Sequence, residues 1–259
     1  MPDNLLADIL YSSSMKNFGS DEHMQIAGLI KEAKKNVIEK NSALEIRHLL
    51  NRNPATIERG LKFIQRPAEP IWYEWGLETR SGHGGDENAK TGCLIAPHPF
   101  DDDLVLSITG WTTDGQNARH AFAIALFDTN SLMQLSKHAI GVRAGSPEAS
   151  LSRIMSAIEV TMPPGFGDEI SILTDDDPMA KQRSYRDATA EIPFLFAIML
   201  FERCIGGLVE TVVDDAIVKT ISGPRTPNFW HKLLNRESDH RGYVSPSLLG
   251  RKRPVYFKG

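Results

Sequence analysis

Between Pro70 and Asp128 apolar and polar positions alternate in four short runs, IWYEWGL, TGCLIAP, DLVLSITGWTT and RHAFAIALFD, separated by loops rich in glycine and aspartate. A period of two sends successive side chains to opposite faces of a strand, and β-branched and aromatic residues suit such a surface. The runs predict an antiparallel β-meander. In the first of them Tyr73 and Trp75 share one face while Trp72 and Glu74 share the other. One face is core, and the favoured reading of the Trp72 face is that it packs under helices rather than meeting a partner.

Elsewhere the period lengthens. Ser20 is placed to cap a helix through Ile38, whose stripe is Met24, Ala27, Ile30, Lys34, Val37 and Ile38. Two further helices, Ser42–Leu50 and Ala55–Ile64, flank the Asn51–Pro54 junction, so three helices are expected before the sheet. Beyond Asp128, Ser146, Pro147 and Glu148 form a helix start, with the stop expected before Pro163. A short strand at Glu169–Leu173 follows, then a buried helix from Asp187 to Ile205 ended by Gly206 and Gly207. Leu208–Ile221 fits strand or helix equally, and Thr226 and Pro227 open a short helix to Asn235. The expected fold is α+β: an antiparallel meander of about four to six strands covered by N-terminal and C-terminal helices. Prolines at 67 and 70 mark a hinge between a helical region, 1–66, and an α+β domain, 67–259, with a basic C-terminal tail; one continuous domain is the alternative.

Composition narrows the class. The 259 residues are 41% hydrophobic and 24% charged, enough for a sizeable core and unlike a disordered chain. The longest apolar run, Pro193–Phe201, is closed by Glu202 and Arg203, far short of the roughly 20 residues a bilayer requires. The acidic start MPDNLLADIL lacks the charge of a secretory signal, so no membrane partner and a cytoplasmic location are expected. Cys93 and Cys204 both lie in apolar contexts and read as reduced core residues. Residues 219–259 hold nine lysines and arginines against two acids, a net +7 on a chain of net −4, which leaves −11 on residues 1–218.

The candidate chemistry is sparse. His83, His98 and Cys93 would need Asp101 or Asp86 to complete a zinc set and lack paired ligand spacing. Asp101, Asp102 and Asp103, like Asp175, Asp176 and Asp177, fit turns better than a metal-bound carboxylate pair. No GxSxG elbow or Walker loop is present, and Gly82, Gly84 and Gly85 do not lead from a strand into a helix. No catalytic residue, metal ligand or cofactor is therefore assigned. Arg52, Arg59, Lys62 and Arg66 read as solvated helix faces. The favoured binding residues are Arg251, Lys252, Arg253, Tyr256 and Phe257, a composition that contacts phosphates and stacks on bases. The glycine-rich Ser81–Asn88 loop is a further candidate for function.

Pro70, Trp72, Glu74 and Trp75, set between N-terminal helices and a tail containing Arg251–Pro254, resemble a pattern in uncharacterised proteins encoded by bacteriophages and prophages. That resemblance implies no activity, cofactor or site. The reading is a soluble binding or interaction protein, not an enzyme, whose basic end meets nucleic acid or an acidic partner. The competing classes are a metal-dependent hydrolase using His98, Asp101 and Asp103, and a self-assembling structural component.

Overall fold

A computed structural model describes residues 5–17, 21–76, 89–141, 146–162, 179–204, 208–213, 216–221, 243–244 and 256–257. The first half runs α1 (Leu6–Asn17), α2 (Asp21–Glu32), β1 (Lys34–Ile38), α3 (Lys40–Arg52), α4 (Pro54–Gly60) and a 3-10 turn (Leu61–Phe63). The meander follows as β2 (Ile71–Gly76), β3 (Lys90–Pro97), β4 (Leu104–Thr112), β5 (Ala118–His120) and β6 (Ile124–Asp128). Then come α5 (Thr129–Gly141), α6 (Pro147–Ser156), β7 (Ile158–Thr161), α7 (Ala180–Thr189) and α8 (Ile192–Cys204). The hairpin β8 (Leu208–Val213) and β9 (Ala216–Ile221) and the short pair β10 (Tyr243–Val244) and β11 (Tyr256–Phe257) complete the described chain.

The fold is α+β, and β2, β3, β4, β6 and β7 pair antiparallel as the alternation requires. The sheet as a whole is mixed, not purely antiparallel. Its nine strands lie in the order β7-β6-β4-β3-β2-β1-β9-β8, with β5 also beside β4, and β1 runs parallel to both β2 and β9. Parallel neighbours need a crossover, which α3, α4 and the 3-10 turn supply between β1 and β2.

Several expected boundaries move. The helix expected to reach Ile38 stops at Glu32, and Lys34–Ile38 is a strand inside the sheet. Either period buries Ile38, but only the strand gives this segment backbone partners on both sides, in β2 and β9. The helix expected over 187–205 divides at Ala190–Glu191 because Pro193 is tolerated in the first turn of α8 and not in a helix interior. Leu208–Ile221 is the β8–β9 hairpin, α1 and α5 have no counterpart among the expected elements, and the helix expected to run toward Pro163 stops at Ser156, its end taken by strand β7 pairing with β6. The Ser146 cap is as expected, its hydroxyl accepting from the Ala149 N–H at 3.3 Å. Ser20, the Ser81–Asn88 loop, the Glu169–Leu173 strand and the 226–235 helix lie outside the described residues.

Each face of the sheet has its own core. Tyr73, Trp75, Cys93, Ile95 and Val105 pack with α3, α4, α5, α6 and α8. Every residue from Ile192 to Leu200 in α8 is buried, with Phe194 set edge-on to Trp75 at 5.0 Å and Phe196 to Phe127 at 4.9 Å. Two buried acids tie this helical layer together: Glu191 pairs with Arg47 at 2.7 Å, and Glu58 takes Arg153 through two oxygens, at 2.5 and 2.9 Å. Such forked pairs fix orientation as well as adding energy.

The opposite face holds Trp72, Leu94, Ala96 and Ile108 under α1 and α2. Gly92 and Gly110 are directly opposed on β3 and β4, and the Trp72 indole lies against both. A Cβ on Gly92 would overlap Trp72 Cζ2 and stand 2.6 Å from the Tyr73 carbonyl oxygen. Gly92 is space that Trp72 occupies, while at Gly110 a Cβ would stand 2.7 Å from Leu10 Cδ1 of α1.

Candidate pocket between strand β2 and helix α8

Strand register sets the floor of the site. Asn36 on β1, Tyr73 on β2 and Cys93 on β3 stand side by side across three neighbouring strands and share the face covered by α8. Glu202, in the last turn of α8, accepts hydrogen bonds from the Tyr73 hydroxyl and, at 3.4 Å, from Asn36 Nδ2. A carboxylate only accepts, so Asn36 must turn its NH₂ toward Glu202. That leaves Asn36 Oδ1 buried with no hydrogen-bond partner among the described residues.

Above this cluster lies a pocket of about 350 Å³. Ile64, Pro67, Ile71, Ile95 and Met199 supply its apolar wall, and Gln65, Arg66, Tyr73 and Glu202 its polar groups. The chain leaving the 3-10 turn brings in 64–67, so the crossover that makes β1 and β2 parallel also builds one wall. The Arg66 guanidinium donates through its terminal nitrogens to the His98 carbonyl at 3.3 Å and pairs with the exposed Asp102 at 3.4 Å, while its Nε is buried with no hydrogen-bond partner among the described residues.

Glu202 carries an electrostatic cost. The C-terminal end of a helix is the negative end of its dipole, and a carboxylate there is disfavoured by about 0.3–1 kcal/mol. Among the described residues its partners, Tyr73 and Asn36, are both neutral. Glu74 is the contrast. It is 2% exposed, yet one oxygen takes the Leu6 N–H at 3.0 Å and the Trp72 indole N–H at 2.9 Å, at the positive start of α1. Burial pushes the Glu74 carboxyl up from its ordinary value, against the pull of Trp72, Lys90 and the Leu6 and Ala7 amides.

A second depression, about 470 Å³, lies among Trp111, Thr112, Thr113, Asp114, Asn117 and Arg119. Its acid is spent on its own turn. Asp114 accepts from Thr112, Gln116 and Asn117, and these bonds, those of Asn117 first, hold its carboxyl well below the usual range.

The residues singled out from sequence do not assemble around the pocket. Asp101 accepts the Asp103 N–H at 2.9 Å, and His98 Nδ1 takes the Phe100 N–H at 3.3 Å, so both shape the β3–β4 turn. Among the described residues no three His, Cys, Asp or Glu side chains are gathered to hold a metal. Cys93 is a buried free thiol, pushed up to about 12 by burial, and its sulfur lies 3.4 Å from the Thr109 hydroxyl. Arg251, Lys252 and Arg253 lie outside the described residues; Tyr256 and Phe257 form β11, paired to β10, where an extended tail was expected. Among the described residues no helix is long and apolar enough to cross a membrane.

Sequence reasoning passed over Asn36, placed in a helix, and Glu202, taken as the end of an apolar run. The available signal was an acid closing a helix that is apolar all round. Compared with known proteins, the chain matches no family model, no curated protein and no solved structure. What fold and pocket define together is an α+β protein with a cavity of small-molecule size.

Proposed function

We propose that this chain is a binding protein for a small amphiphilic molecule held between β2 and α8. The observation that carries the reading is a pocket with an apolar wall whose floor gathers Tyr73 and Glu202 over a buried amide. Ligand sites of this size are mostly apolar, with a few placed polar groups that set orientation. Tyr73 and Glu202 are hydrogen-bonded to each other at the pocket floor, and the role proposed for them is to orient a bound molecule. A cytoplasmic location belongs to the same proposal, supported by a chain with two cysteines, too few for a disulfide framework. Ligand-observed NMR with a mixed fragment set tests it. Fragments are expected to contact the wild-type protein and to be lost in Ile71→Trp, which fills the pocket; fragments that bind both alike, or none that bind, would remove the reading.

A second reading rests on charge. The +7 of residues 219–259, against −11 on the remainder, supports contact between Arg251, Lys252, Arg253, Tyr256 and Phe257 and nucleic-acid phosphates or an acidic partner. Binding to single- and double-stranded DNA and RNA across a salt series tests this, with deletion of 251–259 as the control. Binding unchanged by that deletion, or absent at low salt, rules it out.

A further inference from the structure

Resting on the pocket reading above, we infer that the ligand is a cationic amine, its ammonium seated against Glu202 and its apolar body along Ile71, Ile95 and Met199.

Two features of the floor ask for a donor. A carboxylate offers about four acceptor positions, and Glu202 uses two of them, on Tyr73 and Asn36. Both partners are neutral, so the negative charge has no counter-charge among the described residues. The second feature is the C-terminal turn of α8, which adds negative potential where Glu202 sits. A donor-rich cation answers both.

The cation already lining the pocket does not fill this role. Arg66 is held away by the His98 carbonyl and Asp102. A carboxylate ligand would find both terminal nitrogens of Arg66 engaged, with only the buried Nε unpartnered among the described residues, and would meet Glu202 head-on. A neutral alcohol could donate one hydrogen bond and would leave the charge where it is. An alkylammonium donates three and neutralises it.

The test compares n-octylammonium, n-octanol and n-octanoate, matched in apolar body, by calorimetric titration of the full chain at constant ionic strength. The ammonium is expected to bind about ten-fold or more tighter than the alcohol, the factor one charged hydrogen bond supplies. The octanoate is expected to bind weakest. Glu202→Gln, checked for an unchanged melting transition, is expected to erase the ammonium's advantage while leaving octanol binding in place. Equal binding of amine and alcohol, tighter binding of octanoate, or an advantage that survives Glu202→Gln would overturn the amine assignment and leave the pocket reading standing. Ammonium binding unaffected by Ile71→Trp would place it elsewhere and overturn the assignment as well. Failure of all three probes to bind would sink both this inference and the pocket reading.

Discussion

The two faces of the sheet bury one strand's side chains in opposite ways. On the α1–α2 face Trp72 fills the space left by Gly92 and Leu10 that left by Gly110, and Glu74 meets the indole and amide donors of Trp72 and the start of α1. On the α8 face the core runs solid through Trp75 and Phe194 and then opens at Tyr73 and Glu202. Both faces carry an acid in contact with β2. The first is closed and answered by donors; the second stands at the wrong end of a helix dipole and borders a cavity. Burial of a charged residue therefore says little about function until its donors have been found.

The largest expected effect lies on the closed face. Gly92→Val puts a branched side chain into Trp72, and overpacking of this kind costs about 3 kcal/mol. Urea denaturation measures it, and a loss under about 1 kcal/mol would mean that Gly92 is not space for the indole. Glu74→Ala leaves the Trp72 and Leu6 N–H groups without their acceptor, at about 2–3 kcal/mol. Hydrogen exchange at the Leu6 and Ala7 amides should rise with it. Unchanged protection there would separate Glu74 from the anchoring of α1.

Across the sheet the expectation reverses. Tyr73→Phe and Glu202→Gln should each cost only about 1 kcal/mol or less in urea. A loss as large as that of Glu74→Ala would make Glu202 a structural acid like its counterpart and erase the contrast. The smallest effect belongs to Asp114, an acid on an exposed turn. Its folded value is lowered, so whatever stability it adds is complete above the ordinary Asp value of about 3.9 and drains away as pH falls toward the folded value. Stability below about pH 4 should fall less steeply in Asp114→Asn than in wild type, and parallel curves would show that the turn contributes nothing.

Much of the sheet was legible because period two is unambiguous when aromatics mark it. Trp72, Tyr73, Glu74 and Trp75 occupy the faces their alternation assigns, and Trp72 is buried under helices. β1 was hidden for the converse reason. Lys34–Ile38 is short and follows a true helix in phase, so its apolar positions satisfy a helical stripe as well as a strand. Pairing with β2 and, far along the chain, with β9 selects the strand, and that information is not local. The candidate site was harder still. Glu202 and Asn36 are ordinary residues in their own neighbourhoods and become a site only when α8 and β1 converge on Tyr73.

The place of β1 also sets an order of events for a chain emerging from the ribosome. Its near neighbour β2 follows soon after, but Lys35 waits for Val218 on the other side. At roughly 5–20 residues per second that interval lasts on the order of 10–40 s. Throughout it, the strand at the middle of the finished sheet has one bare edge of N–H and C=O groups, open to any other extended chain. The hairpin that closes this gap is thus the last piece of the sheet to be made and the one that ends its exposure.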